Sequence, residues 1–302
     1  MTNFQHTKHW ELSISIEKDK FEKFSKHGTP FQIKEKLPSN TALFVYNEQG
    51  GKRLEGIYDS EINAVRRIQS DASNRDLRLY EDAIDNDNIT IIAVDGLMGT
   101  GKTSTVVEKI INKYLIKDFK NNKSDKPSEH KILIAKPHIN AGGSHEQYGF
   151  LSGDINEKLD PTLGNFIQYF DRWHPAGFNK LRESGVVQIL PLGFIRGLDA
   201  ENMTVIVDEA QNTKELVSVV TRKAKKNSKI ILIGDTSPFQ IDLEQNTTEK
   251  NGLKHIIELL SGASYFQYIE MKSIEHIVRS DEVKDIVKRL FKKYGTEEKW
   301  II

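Results

Sequence analysis

The chain shows two kinds of hydrophobic pattern, and one gives way to the other near residue 89. Before that point, residues 10–16 alternate apolar and polar positions, and residues 41–46 are rich in aromatic and branched side chains. The second run is followed by Gly50 and Gly51, a pair that favours a tight turn. This pattern predicts a small, β-rich antiparallel region over residues 1–60.

A polar, charge-rich stretch follows at residues 59–88. Its apolar residues are spaced for single helical faces, at positions 62, 65 and 68 and again at 77, 80 and 84. The stretch therefore predicts one or two helices.

From Ile89 onward, apolar runs of strand length alternate with helical segments. This alternation is typical of a mostly parallel sheet flanked by helices, so we predict an α/β domain over residues 61–302. The predicted strands are 89–94, 131–135, 186–190, 204–207, 229–233 and 265–271, and the predicted helices are 102–115, 214–225, 253–260 and 281–294.

The first of these strands leads into a phosphate-binding motif. Residues 96–103 read G-x-x-x-x-G-K-T and precede a helical segment, which is the setting that the motif requires. Glycines allow backbone N–H groups to point at a phosphate, and the helix N-terminus adds positive potential. Lys102 supplies a mobile charge for the outer phosphates, and the Thr103 hydroxyl can bind Mg²⁺. The residues predicted to bind the nucleotide are Gly96, Met98, Gly99, Thr100, Gly101, Lys102, Thr103 and Ser104.

A later predicted strand, 204–207, delivers two carboxylates at its C-terminal end, where ligands bind in open α/β sheets. Asp208 is predicted to hold Mg²⁺. Glu209 projects in another direction and is predicted to polarise the water that attacks the γ-phosphate. Because a small-molecule kinase does not need this second carboxylate, the pair favours hydrolysis.

The strand predicted at 229–233 ends in Gly-Asp-Thr-Ser-Pro-Phe-Gln. A polar group at this strand end can sense the γ-phosphate and move a neighbouring loop. Gln240 is the predicted sensor, with Asp235 as its support.

Composition limits the partners and the cellular compartment that can be expected for this protein. The 302 residues carry 43 Lys plus Arg and 43 Asp plus Glu, so the balanced charge gives no general argument for a nucleic-acid or membrane partner. No apolar stretch approaches the ~18 residues of a membrane span, and the N-terminus lacks the apolar core of a secretory signal. The absence of cysteine excludes disulfides and thiolate metal sites. We expect a cytoplasmic protein that does not contact a membrane.

Taken in order, these motifs resemble those of the PhoH-like ATPases. The resemblance spans about residues 90–294, and its most specific part is the Asp-Glu-Ala-Gln-Asn-Thr string at 208–213 with the Gly-Asp and Gln-Ile-Asp that follow within 234–242. The other segments that match are 96–103, 149–154, 191–197, 221–222, 228–229 and 278–280.

The resemblance implies a RecA-like ATPase core related to superfamily 1 helicases, with ATP and Mg²⁺ as cofactors. It also implies an association with RNA or single-stranded nucleic acid and homo-oligomers such as a hexameric ring. Some relatives carry an N-terminal PIN nuclease domain, for which we expect no room in this chain. Three features depart from the family. The upstream Asn and Gln where adenine could be read are not clear in residues 74–78, and Lys136 stands where Arg is usual. Residues 196–199 read Arg-Gly-Leu-Asp where the family has Arg-Gly-Arg-Thr, which removes one cation.

ATPases of this fold normally use an arginine to stabilise charge on the transferred phosphoryl group. Because a single core lacks a second lobe, we expect a neighbouring subunit to supply Arg222, Arg279 or Arg196. Two basic runs, at 109–126 and 214–229, are the local candidates for nucleic-acid contact. Two other classes of protein stay open: a nucleotide-gated binding switch with slow hydrolysis, and a phosphotransferase.

Overall fold

The computed structural model describes residues 9–115, 129–137, 163–174, 176–213, 216–222, 227–237 and 251–294. They form a small sheet near the N-terminus and a larger, helix-covered sheet after it. Within these ranges, no helix combines the length and the apolarity that crossing a bilayer requires.

The first sheet has five strands in the order β1-β3-β4-β5-β2. β1 pairs in parallel with β3, and the other pairs are antiparallel. Helix α1 (Lys18–His27) buries Phe21 and Phe24 in the core of this unit. The predicted N-terminal β element is confirmed. Its strands are β1 (Ser13–Ile16), β2 (Phe31–Gln32), β3 (Ala42–Asn47), β4 (Leu54–Asp59) and β5 (Ala64–Arg67).

β5 occupies part of the stretch that the sequence predicts to be helical, and the helix predicted around residues 62–68 is wrong. Val65 is fully buried and pairs with Tyr58 across the sheet, whereas Ile62 is 51% exposed. Pairing with β4 and burial of alternate side chains outweigh the weak helical spacing of these few residues. The first sheet therefore extends past residue 60 to Arg67.

The second sheet has six strands in the order β11-β6-β10-β9-β7-β8, and every pair is parallel. The parallel sheet predicted from the apolar runs is confirmed, since each run contains most of one strand. The strands are β6 (Ile91–Gly96), β7 (Lys131–Lys136), β8 (Val187–Pro191), β9 (Met203–Val207), β10 (Lys229–Gly234) and β11 (Phe266–Met271).

Helices cover both faces of this sheet. α3 continues as a π-helical turn at Ile111–Leu115, and 3-10 turns lie at Leu192–Gly197, Ala210–Asn212 and Ile274–His276. The predicted helix at 281–294 coincides with α8, and the one at 214–225 is described only over α6. The helices are α2 (Arg75–Asp85), α3 (Lys102–Ile110), α4 (Gly164–Trp173), α5 (Gly177–Glu183), α6 (Leu216–Val220), α7 (Gly252–Leu260) and α8 (Asp281–Tyr294).

The apolar strands bury both of their faces. In β6, Ile92 and Val94 join the core on the side of α2 to α5, while Ile91 and Ala93 join the core on the side of α6 and α7. Successive strand residues point to opposite faces, so a strand that is covered on both sides is apolar throughout.

The N-terminal unit is docked on the larger domain through paired charges and hydrogen bonds. Arg66 forms a bidentate pair with Asp82 at 2.8 and 2.7 Å, with both partners largely buried. The Asn40 side chain donates to the Phe266 carbonyl at 2.9 Å, and His9 Nε2 lies 2.7 Å from the Tyr268 carbonyl. Because β11 is an edge strand, these contacts cover main-chain groups that would otherwise be open for pairing.

The connections of the sheet create a crevice at the C-terminal ends of β6 and β10. These strands are neighbours, but the chain leaves β6 through α3 toward β7 and leaves β10 through α7 toward β11 on the other side. Ligands of open α/β sheets bind at such a switch point.

Candidate functional site: a phosphate-binding cleft

A cleft lies at this switch point, and it is lined by the predicted motifs from three neighbouring strand ends. Its empty volume is about 850 Å³, the open mouth included. The lining comprises Met98, Gly99, Gly101, Lys102, Thr103 and Ser104 after β6, Asp208 and Glu209 after β9, Ile233, Gly234 and Asp235 around the end of β10, Val278 and Arg279 before α8, and Asn165 and Tyr169 on α4.

The phosphate loop places Lys102 at the first residue of α3, directly after a left-handed residue. Gly101 has φ +91°, a backbone conformation that side chains other than glycine rarely adopt. The Lys102 ammonium donates to the carbonyls of Gly96 at 2.6 Å and Leu97 at 2.8 Å. Burial lowers the pKa of Lys102, and the nearby carboxylates, Asp235 foremost, oppose this shift. The ammonium is thus held at the loop itself and borders the cleft.

Asp208 and Glu209 follow β9, as the sequence predicts, and they differ in setting. Asp208 is 6% exposed, and its carboxylate lies 3.1 Å from the Lys136 ammonium at the end of β7. Glu209 has φ +55°, a left-handed conformation that is unusual for this residue type and typical of strained functional turns. Burial raises the pKa of the Glu209 carboxyl, and the charge of Asp208 raises it further.

Gln211 joins the ends of β9 and β10. Its amide donates to the Glu209 carboxylate at 2.8 Å, and its carbonyl oxygen accepts from the Asp235 N–H at 3.2 Å. Gln211 is fully buried. A Cβ on Gly234 would collide with the Gln211 carbonyl oxygen, so only glycine leaves space for this bridge. The bridge holds the Glu209 side chain on the wall of the cleft.

The oxygen ligands in the cleft fit a Mg²⁺ ion that is held jointly with a nucleotide. Thr103 and Asp208 line the same cleft, and a hydroxyl and a carboxylate are hard oxygen donors of the kind that Mg²⁺ prefers. Among the described residues, no cluster of three His, Cys, Asp or Glu side chains could hold a metal by itself. A site with few protein ligands matches the usual Mg²⁺ arrangement, in which substrate phosphates and waters complete the shell.

The predicted arginines fall in different places. Arg279 lines the cleft of its own chain. The Arg222 carbonyl accepts from the Ala200 N–H at 3.2 Å, just before β9 begins, which puts Arg222 at the end of the sheet opposite to the cleft. The side chain of Arg196 and the whole of Gln240 lie outside the described residues.

The Asn74 side chain, in the segment where the base-reading residues are not clear, caps a helix. Its oxygen accepts from the N–H groups of Asp76 at 3.1 Å and Leu77 at 3.0 Å, so it satisfies two donors at the start of α2.

Several residues of the site escape sequence analysis. Gln211 stands within a string that resembles the family, and Lys136 stands at a position that departs from it, but nothing in their spacing indicates a contact with Asp208 or Glu209. Asn165 and Tyr169 lie on α4 without any motif, and only the packing of α4 against α3 brings them to the cleft.

A buried polar network beside the cleft also carries no sequence signal. The Asp95 carboxylate, 2% exposed, accepts from the Thr236 N–H at 2.8 Å and lies 2.6 Å from the Lys272 ammonium. Lys272 also donates to the Thr236 hydroxyl at 3.0 Å. The network ties together the ends of β6, β10 and β11, the strands around the cleft.

The sequence model of the family described as PhoH-like protein matches residues 71–291. The chain belongs to this family. It therefore carries the phosphate loop of a P-loop NTPase, and the resemblance predicted from the motifs is confirmed.

Individual members of the family match at modest identity. A PhoH-like protein of Mycobacterium tuberculosis is 30% identical over 210 residues, which cover 69% of this chain and 54% of that protein. A PhoH-like protein of Bacillus subtilis is 34% identical over 198 residues, covering 64% and 55% respectively. Protein PhoH2 of Thermobispora bispora is 25% identical over 277 residues, covering 87% and 58%. The chain thus matches a little over half the length of these relatives.

Among solved structures, an arterivirus nonstructural protein 10 helicase in complex with DNA matches with a TM-score of 0.30 and 9% identity. The match covers 88% of this chain and 56% of the viral protein. A likeness of this strength bears on neither the fold nor the function.

Proposed function

We propose that this chain is a Mg²⁺-dependent ATPase whose turnover is coupled to single-stranded nucleic acid, with RNA as the first candidate. The proposal of ATP hydrolysis rests on one observation. The phosphate-loop lysine and the Asp208–Glu209 pair, about a hundred positions apart in the sequence, line a single cleft. A cation for phosphate, ligands for Mg²⁺ and a carboxylate for water are the parts that phosphoryl transfer to water needs.

Each residue has a chemical task in this proposal. Lys102 leaves the carbonyls of the loop and binds the outer phosphates, where its charge is matched. Thr103 and Asp208 would hold the Mg²⁺ ion, which would neutralise charge on the phosphate oxygens. Glu209 accepts a hydrogen bond from the attacking water and orients it toward the γ-phosphorus. A raised pKa suits this task, because a stronger base accepts a proton more readily.

Arg279 is the arginine that we assign to the transition state in the same chain, since it borders the cleft already. Arg222 could act only in the cleft of a neighbouring subunit, because it lies at the far end of its own sheet. An oligomer such as a ring would bring it there. Gln240 stays our proposed γ-phosphate sensor on the strength of its motif alone.

Mixed subunits separate these two roles. Arg222→Ala subunits mixed with Glu209→Gln subunits regain turnover if Arg222 acts across an interface, because some clefts then combine an intact Glu209 with a neighbour's Arg222. Arg279→Ala subunits in the same mixture should not regain turnover, because Arg279 acts beside its own Glu209. The absence of rescue in the first mixture would refute donation by Arg222.

The nucleic-acid part rests on the association with RNA that the family resemblance implies. The decisive measurement is steady-state phosphate release from ATP with and without single-stranded RNA. We expect stimulation by RNA in the wild type and a loss of about 10²-fold or more in Glu209→Gln. Glu55→Gln is a matched control, because Glu55 is a largely buried carboxylate of the N-terminal unit, where it pairs with Arg78 of α2.

The remaining outcomes distinguish the other classes. Nucleotide-dependent binding without phosphate release would indicate a binding switch, and phosphate retained on an acceptor would indicate a phosphotransferase. We also propose a cytoplasmic location, which the cysteine-free sequence suits and which cell fractionation tests.

A further inference from the structure

The phosphate loop has an apolar anchor of its own. Leu97, its second residue, is fully buried, although the next residue, Met98, lines the open cleft. It does not join the core on either face of the sheet. Its partners form a separate cluster below the loop, comprising Ile274, Ile277, Val287 and Phe291, with Val283 and Leu290 at the edge.

The same segment also holds the backbone of the loop. The Val278 N–H donates to the Gly99 carbonyl at 2.9 Å, and the Leu97 N–H donates to the Met271 carbonyl at 3.0 Å. A Cβ on Gly99 would lie 3.2 Å from the side chains of Arg279 and Ile277, so these two side chains pack directly against the loop. Residues 271–291 therefore hold the loop in two ways, by apolar packing on Leu97 and by hydrogen bonds to the backbone of Leu97 and Gly99.

We propose that α8 is the positioning element of the phosphate loop, acting through Phe291 and Val287 on Leu97. The proposal rests on the nucleotide binding proposed above. Gly99 and Gly101 give the loop access to many backbone conformations, and only some of them turn its N–H groups toward a phosphate. The apolar contact with α8 selects those conformations, although no residue of α8 lines the cleft.

The size of the effect follows from population arithmetic. Apparent affinity is the intrinsic affinity multiplied by the fraction of molecules in the competent conformation. If loosening the anchor lowers that fraction to about one tenth, ATP binds about tenfold more weakly. If the apolar stripe of α8 serves only as core, loosening it lowers the stability of the fold. The affinity of the folded molecules for ATP then stays unchanged.

Two conservative variants and two matched controls separate these outcomes. Phe291→Leu and Val287→Ala loosen the anchor. Phe24→Leu and Val65→Ala make the same chemical changes at equally buried positions in the core of the N-terminal unit. The measurements on each full-length protein are the melting temperature, the dissociation constant of MgATP by calorimetry, and hydrogen exchange at the amides of residues 97–103 without nucleotide.

We expect all four variants to melt earlier, but only Phe291→Leu and Val287→Ala to bind MgATP about tenfold more weakly and to exchange loop amides faster. Equal affinity in all four, or equal exchange of the loop amides, would overturn the proposal. If Phe291→Leu does not fold, Val287→Ala decides. If the wild type itself does not bind MgATP, the proposed function fails, whereas the exchange data still report whether α8 holds the loop.

Discussion

Replacing Gln211 by leucine should slow hydrolysis far more than it weakens nucleotide binding. The change keeps the size of a fully buried side chain and removes both of its hydrogen bonds. Glu209 then loses the group that holds its carboxylate, and the Asp235 N–H loses its acceptor. Neither partner binds phosphate in our proposal, so the affinity for ATP should be nearly unchanged.

The magnitude follows from the two bonds. A hydrogen bond to a charged group contributes about 1.5 to 3 kcal/mol, and the bond from Gln211 to Glu209 is of this kind. If about 2 kcal/mol of this orienting energy is missing in the transition state, kcat falls about thirtyfold. The Asp235 N–H, left without its acceptor in a buried site, lowers the free energy of unfolding by a further ~1 to 3 kcal/mol.

The assay is steady-state phosphate release over a range of ATP concentrations, with melting temperatures measured in parallel. Gln267→Leu is the matched control. Like Gln211, Gln267 is a buried glutamine, with 1% of its surface exposed, and it donates to the Asn40 and Tyr268 carbonyls far from the cleft. We expect both variants to melt earlier, but only Gln211→Leu to lose kcat.

Two results would refute this reasoning. If Gln211→Leu keeps the kcat of the wild type, the bridge does not orient Glu209 for catalysis. If both variants lose kcat in proportion to their loss of stability, the effect of Gln211 is a general one on the fold.

Three further predictions concern the pH dependence and the packing. The acid limb of the pH profile of kcat should lie above the ordinary Glu pKa of 4.5, because burial raises the pKa of Glu209 and Glu209 must be ionised to act as a base. Gln211→Leu should move this limb to still higher pH, because the hydrogen bond from Gln211 favours the ionised form of Glu209. Burial lowers the pKa of His130 from 6.5 to about 4. The free energy of unfolding should therefore fall by about 3 kcal/mol as the pH drops from 6.5 to about 4, since the unfolded chain takes up the proton first. Urea unfolding across that range should show this loss in the wild type and a flatter profile in His130→Phe, which keeps the stacking on Tyr114; an unchanged slope would contradict it. Gly234→Ala should lower stability by ~1 to 3 kcal/mol and reduce kcat, because its methyl group displaces Gln211, while Gly193→Ala, with open space around it, should do neither.

The sequence predicted those strands and helices whose pattern lies in consecutive residues, and it missed an element whose conformation depends on a partner strand. The strands from β6 to β11 were predicted because a strand covered on both faces must be apolar along its length, and this property is written in consecutive residues. Helix α8 was predicted at both ends for a similar reason, since its apolar stripe repeats at the helical period. β5 was missed because its four residues carry little local signal and its partner strand decides its conformation.

The chemical candidates follow the same division. The amino-acid sequence by itself determined the phosphate loop and the Asp208–Glu209 pair, because backbone geometry and strand position restrict which residue types can stand there. Tertiary structure alone decided that Gln211 bridges Glu209 to Asp235, that Lys136 faces Asp208, and that Arg279 borders the cleft whereas Arg222 does not. Those contacts join strand ends that are distant in the sequence, and their identity depends on the order of strands in the sheet, which no local pattern encodes.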